Sequence, residues 1–423
     1  MIDIKLIRAD KEKFIKAAAD KRIAVDIPAL LELDAEILKA QQEIQEIRTA
    51  QNAAGKDIAK LAGAAKREAV ARMAGLKARS KELADRVEQL EPRFKDLLLL
   101  VAQPPAPEVP LGKDDTENVV LRHEGQVPKF DFPLKDHMEL GAALDIIDGE
   151  RGVKLAGSRN YVLKGAGAML HQAILRLAVD QMVAKGYTLM TVPVLVNESV
   201  MYGTGYFPVG RDQAYLAERD GMSLVGTAEV PVTAYHSEEI LAEADLPRKY
   251  VAMSTCFRRE AGAAGKDTTG LYRVHFFDKV EQVVLGPNDV DRSIELHQEI
   301  LRNSEDVLKA LELPYRVVNV CTGDLGQGQV QKFDIETWMP SRNGYGETHS
   351  ASRFYEFQAR RLNIRYRAAD GTVKFVHTLN NTVIASPRIL IPVLELYQNA
   401  DGSVTVPKAL RPYMHGMERI RKA

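Results

Sequence analysis

Residues 256–281 read CFRREAGAAGKDTTGLYRVHFFDKVE. Two runs rich in charged and aromatic residues, 256–260 and 271–281, flank a glycine-containing loop, which predicts strand–loop–strand. Alternate residues of a strand face one side. Arg258 and Glu260 therefore share a face, and so do Arg273, Phe277, Lys279 and Glu281, with His275 among them. A sheet face offering arginine, carboxylate and aromatic ring together is costly to bury unless a polar ligand satisfies it. A surface ion-pair network is the alternative reading of this stretch alone.

Outward from this segment the pattern is mixed. Residues 168–185 read as an amphipathic helix and 291–311 as another, while 188–196, 279–285 and 315–320 are short β-rich runs. Strands and helices do not alternate regularly, so the expected class is α+β, an antiparallel sheet core flanked by helices. Neither GxGxxG nor GxxxxGK[ST] occurs, so any nucleotide is held without a glycine-rich phosphate loop. Polar clusters recur at 226–229 (GTAE), 332–336 (KFDIE), 345–350 (YGETHS) and 377–388 (HTLNNTVIASPR).

The first hundred residues are different in kind. Leu33, Ile37, Ala40, Ile44, Ile47, Ala54, Ile58 and Leu61 recur at alternating steps of four and three, with Gln51 the polar exception. A second seam runs through Ala69, Met73, Leu76, Leu83, Val87, Leu90, Phe94 and Leu97, with Ser80 filling one slot. This is the a/d spacing of a coiled coil. With Ala62-Gly63-Ala64-Ala65 as the reversal, it predicts an antiparallel two-helix hairpin over about residues 28–100, each helix about 50 Å long. From Lys56 to Lys81 there are eight Lys or Arg against Asp57 and Glu68, an excess of six. A thin arm with a basic tip suits contact with a nucleic-acid backbone. The expected domains are 1–103 with the arm, a Pro-rich linker at 104–125, and 126–423 as a second domain.

The chain has 423 residues, 45% hydrophobic and 27% charged, enough for a sizeable core in a water-soluble protein. The net charge of −1 confines any nucleic-acid surface to a local patch. Its two cysteines, Cys256 and Cys321, lie far apart and outside any CxxC, which argues against zinc and for a reducing compartment. The first residues, MIDIK, carry no apolar signal core, and the longest aliphatic run, 97–101, is too short to span a bilayer. A cytoplasmic location is the expectation, with no membrane contact.

The order TAEVPVT, CFRREAGAAGKDTTGLYRVHFFDKVE, YGETHS, FQARRLNIRYR, HTLNNT, ASPR and LRPYMHG resembles the bacterial-type seryl-tRNA synthetases along nearly the whole chain. Within it, 256–281 is similar to class II motif 2, 377–395 to motif 3, and 189–198, centred on Pro193, to motif 1, which lies at the family's dimer interface. A coiled-coil arm before a class II domain is itself characteristic of this family.

The resemblance implies a homodimeric ligase that joins L-serine to ATP as seryl-adenylate and passes it to tRNA(Ser), and to tRNA(Sec). It implies that Arg258 holds the α-phosphate and the serine carboxylate, and that Arg388 holds the γ-phosphate end. Phe277 would stack on adenine and Glu260 accept from its amino group, with Arg259, Val274, Thr348, His349 and Ser350 also on the ATP side. Glu347, with Ser350, would carry Mg²⁺ bridged to the phosphates. Thr227, Ala228 and Glu229 would line the serine site and grip its ammonium, while Glu281 and Thr382 would receive its hydroxyl. Lys56, Lys60, Lys66, Arg67 and Arg72 would meet tRNA.

Several positions depart from the commonest family form: Phe276 for Gln, Thr348-His349 for Ile or Val then Ser, 353–356 for a more polar stretch, Asn381-Thr382 for Gly-Ser, and Val383 and Pro387 for glycines. They are expected to touch the ATP side and the pocket rim. Beside ordinary lineage variation they admit a specialised, inhibitor-resistant seryl-tRNA synthetase. Loading of a non-tRNA acceptor, by a relative that lacks the arm, and a non-enzymatic coiled-coil protein with a decayed nucleotide domain are the remaining alternatives.

Overall fold

The structure, a computed structural model, describes residues 1–58, 61–263, 265 and 267–422, with residues 55–58 described by backbone only. The chain divides into two compact units, residues 2–102 and residues 103–423 together with Met1.

In the first unit two short helices, α1 (Ile4–Ala9) and α2 (Lys11–Asp20), precede two long ones, α3 (Ile27–Ile58) and α4 (Gly63–Leu100). The Asp26 carboxylate accepts from the Ala29 N–H at 2.9 Å and caps the start of α3. The heptad pattern puts one apolar stripe on each long helix. Leu33, Ile37, Ala40 and Ile47 pack against Leu83, Val87 and Leu90, with Ile44, Leu76, Phe94 and Leu97 at the margin. Arg79 bonds Glu43 (2.7 Å) and Arg86 bonds Glu36 (2.8 Å) across the pair. The seam thins outward, and Leu61 and Val70 are exposed. Helix α4 begins at Gly63, so the expected turn residues 63–65 instead form its first turn.

The second unit is built on an eight-stranded sheet. Its strands are β1 (Val119–Glu124), β2 (Thr188–Met190), β3 (Arg248–Phe257), β4 (Phe276–Gly286), β5 (Tyr315–Asn319), β6 (Gln331–Met339), β7 (Gly344–Tyr355) and β8 (His377–Ser386). The spatial order is β1-β5-β6-β7-β8-β4-β3-β2. Every pairing is antiparallel except the edge strand β2, which runs parallel to β3. Its helices include α5 (His137–Ala143), α6 (Ala166–Ala184), α7 (Glu229–Ala234), α8 (Val290–Ala310) and α9 (Leu390–Leu396).

Helices α6 and α8 cover one face of the sheet and bury Ile174, Ala178, Leu296, Ile300 and Val307 against Val280, Val284, Leu379 and Val383. The stretch 104–125, expected as a linker, is part of this unit. Ala106 and Val109 pack on Val320 and Leu325, and 119–124 pair with β5 as an edge strand. Its Pro-rich start hid a three-residue apolar run, Val119-Val120-Leu121, that was too short to stand out. Among the described residues no helix is long and apolar enough to cross a membrane.

Candidate active site

The face of the sheet opposite α8 holds a cavity of about 200 Å³. Arg258, Glu281, Glu347 and Arg388, separated by up to 130 positions in sequence, all line it. So do Thr227, Glu229, Glu260, Val274, Phe277, Thr348, His349, Ser350 and Thr382. Strand register explains the convergence. β4 pairs with β8 so that Glu281 lies opposite Thr382, and the Thr382 hydroxyl donates to the Glu281 carboxylate at 3.3 Å.

The wall made by 256–281 has the geometry that its alternation predicts only in part. Phe277 and Glu281 line the cavity, and the Arg258 guanidinium carbon stands 5.1 Å over the Phe277 ring. Glu260 adopts φ +51, a left-handed conformation that a glutamate rarely takes, and its carboxylate accepts from Arg273 at 3.2 Å. His275 turns away: its Nδ1 lies 2.9 Å from the Arg258 carbonyl. Arg259 is exposed, with its guanidinium on the Asp212 carbonyl at 3.4 Å, and does not line the cavity. Ala228 is buried at the start of α7 and does not line it either.

At the small end, Thr227 accepts from the Glu229 N–H at 3.1 Å and from Lys279 Nζ at 2.7 Å. Glu229 accepts from Gln358 at 2.7 Å, yet burial, reinforced by the nearby Glu281, pushes its pKa up to about 7. The strand alternation had put Lys279 on this face without giving it a role. Tyr206, Gln329 and Ser352, outside every motif, also line the cavity, as do Tyr272 and Asn380, which lie within motifs but carry no expected role.

At the large end, Arg388 donates to the Glu347 carbonyl at 2.9 Å. Burial would raise the Glu347 pKa, but Arg388, Lys332, Arg258 and Arg273 outweigh it and hold the carboxyl below its usual range. His349 is different, because burial pushes its imidazole down to about 3 and it brings no positive charge to this end. The Thr348 hydroxyl is already engaged, 2.7 Å from the Thr337 hydroxyl and 2.8 Å from His349 Nδ1. Glu347 stays ionised and Ser350 lies on the same wall, oxygen donors of the kind a hard divalent cation takes, although among the described residues no group of three or more His, Cys, Asp or Glu is placed to hold a metal ion.

Two departures expected at the pocket rim lie on the other face. Asn381 donates to the Ile300 carbonyl and, at 2.7 Å, to Ser304 Oγ on α8, while Val383 is buried in the core beneath that helix. Arg353 is fully buried and donates to Glu108 (2.8 Å) and Gln331 (3.1 Å), away from the cavity. Phe276 stacks on Tyr161 with ring centroids 4.8 Å apart. In the arm, Lys66, Arg67 and Arg72 are exposed; Lys60, and the side chain of Lys56, lie outside the described residues.

The family model described as "Seryl-tRNA synthetase N-terminal domain" matches residues 1–104, and that described as "tRNA synthetase class II core domain (G, H, P, S and T)" matches 215–397. The chain is 42% identical to the serine--tRNA ligase of Deinococcus radiodurans over 99% of this chain and 98% of that one. The chain belongs to the seryl-tRNA synthetase family. The Thermodesulfovibrio yellowstonii serine--tRNA ligase is 43% identical over the full length of both chains. The crystal structure of the Pyrococcus horikoshii seryl-tRNA synthetase complexed with ATP superposes with a TM-score of 0.93, at 36% identity and full coverage of both chains. The α+β class II fold and the long helical arm are those of the seryl-tRNA synthetases, and the chain is a class II synthetase of that family.

Proposed function

We infer that the chain activates L-serine with ATP and transfers the seryl group to tRNA(Ser), and to tRNA(Sec). The observation that carries this reading is the convergence of Arg258, Glu281, Glu347 and Arg388 on one cavity. Adenylate formation needs no strong base, because the attacking carboxylate is already a nucleophile. It needs in-line positioning and cancellation of phosphate charge. Arg258 and Arg388 supply planar forks for the α- and γ-phosphate ends. Phe277 offers a face for adenine and Glu260 an acceptor for its amino group.

Thr227 and Glu229 receive the serine ammonium, and Glu281 with Thr382 receives the hydroxyl. Alanine would leave the buried Glu281 carboxylate without that donor, a penalty an apolar pocket cannot impose. Glu347 and Ser350 would hold Mg²⁺, which supplies charge neutralisation at the phosphates. The basic tip of the arm supports contact with the tRNA backbone, and the exposed edge strand β2, with Leu189 outward, supports dimerisation there. The two buried, unpaired cysteines suit a reducing cytoplasm. ATP–pyrophosphate exchange with serine, followed by aminoacylation of total tRNA with labelled serine, tests the reading. Exchange that is no faster with serine than with alanine would overturn it.

A further inference from the structure

The small end of the cavity contains an ammonium group of the protein's own. Lys279 Nζ lies 2.5 Å from Glu281 Oε2 and 2.7 Å from Thr227 Oγ1, and its side chain is 6% exposed. Glu281 is 2% exposed. A buried ion pair is weak evidence for stability, since well-packed apolar residues do as well or better in its place. The pair lies at the small end of the cavity, where it can act on a ligand.

We propose that Lys279 determines specificity: by neutralising Glu281, it makes the pocket accept a β-hydroxyl and refuse a β-ammonium. The proposal rests on the assignment of Glu281 and Thr382 to the serine hydroxyl.

The argument is one of charge balance. Two carboxylates, Glu229 and Glu281, face the small end of the cavity, close enough for Glu281 to raise the Glu229 pKa. An amino acid brings one α-ammonium for Glu229, and its carboxylate is met by Arg258. Without Lys279, Glu281 would remain as a second, unmatched negative charge in a water-poor site and would select a second cation. With Lys279 against it, Glu281 still has a lone pair for a hydroxyl donor but no net charge to offer.

The ligand that exposes the difference is L-2,3-diaminopropionate, which has the shape of serine and carries an ammonium in place of the hydroxyl. In the native pocket that ammonium would stand beside Lys279 Nζ. Like charges a few ångströms apart in such surroundings are worth roughly 10³-fold in binding. Lys279 touches no reacting atom in this scheme. It is a positioning residue that works through Glu281.

The test measures ATP–pyrophosphate exchange by the full-length chain with L-serine and with L-2,3-diaminopropionate. The native protein should use serine and refuse the diamino acid. Lys279→Met should lose serine activation by about 10²-fold and raise the diaminopropionate-to-serine ratio of kcat/KM by about 10³-fold. Lys279→Arg should keep the refusal. Lys279→Met/Glu281→Gln, in which the negative charge is also gone, should lose the preference for the diamino acid again, a reversal that simple loss of packing does not give. Should the Met variant not fold, Lys279→Gln, a neutral side chain that keeps a hydrogen-bond donor, reads the same ratio. An unchanged ratio in a folded, ATP-binding variant overturns the proposal. Failure of the native protein to exchange with serine overturns the underlying site assignment instead.

Discussion

Arg388 and Tyr272 are joined twice: the guanidinium Nε donates to the Tyr272 carbonyl at 3.0 Å, and the guanidinium carbon stands 4.4 Å over the Tyr272 ring. Arg342 approaches the same ring at 4.2 Å. With Nε on the Tyr272 carbonyl, Nη1 on the Glu347 carbonyl and its plane stacked on the ring, the Arg388 guanidinium is directed by the protein before any phosphate arrives. A lysine can neither stack nor reach in two places. Arg388→Lys is therefore expected to raise the KM for ATP and to cut kcat/KM for ATP by about 10²-fold, with the KM for serine nearly unchanged. Steady-state pyrophosphate exchange, varying each substrate in turn, measures the split.

Serine binding should depend on pH through Glu229. Its carboxyl is raised to about 7, first by burial and then by Glu281, whereas an ammonium ligand requires the ionised form. The KM for serine is expected to rise as pH falls below about 7, tenfold per unit at the limit. Glu229→Gln should flatten that limb and raise the KM throughout. The sign for the ligand-free fold is opposite. The native carboxyl holds its proton more tightly than the unfolded one, so this group costs stability as pH rises from the ordinary carboxyl range to about 7. Thermal melting with and without serine across that window measures both effects.

The arm is a separate compact unit with its own apolar seam. Removing about residues 30–95 should leave pyrophosphate exchange intact and abolish tRNA charging. Replacing Lys66, Arg67 and Arg72 by Glu should weaken tRNA binding steeply and flatten its salt dependence by about three units of slope. Equal loss of exchange and charging on deletion would contradict the division of labour.

Asn381 gives a prediction about stability rather than chemistry. Its side chain reaches from β8 to the Ile300 carbonyl and Ser304 Oγ on α8. Asn381→Gly should lower stability by about 2–3 kcal/mol through the lost buried bonds and glycine's added chain entropy. Exchange kinetics should change little. Denaturant unfolding of the second unit is the measurement.

Much of this was legible in the residues. The heptads foretold two paired helices because a coiled coil writes its contacts into a fixed repeat, and the dense charge of 256–281 pointed to a polar wall, which in the structure lines a cavity. The turn near residue 62 was harder, since alanine and glycine there support either a reversal or a first helical turn. Asn381 and Val383 were expected at the pocket rim, although two-residue alternation from Thr382 already puts them on the opposite face. Lys279 had the right side but no role, because a lysine beside a glutamate on a strand looks the same whether it meets water or a closed cavity. Tyr272 contributes mainly a carbonyl and a ring face, and a sequence does not announce either.

The bond from Ser304 Oγ to the Thr382 carbonyl, 2.8 Å long, ties the strand bearing Thr382 to a helix on the far side of the sheet. On the proposed assignment of Thr382 to the serine hydroxyl, discrimination between amino acids that differ by a few atoms would depend on how firmly a distant scaffold grips one peptide unit. Selectivity would then drift, or be tuned, through residues on α8 that line no part of the cavity.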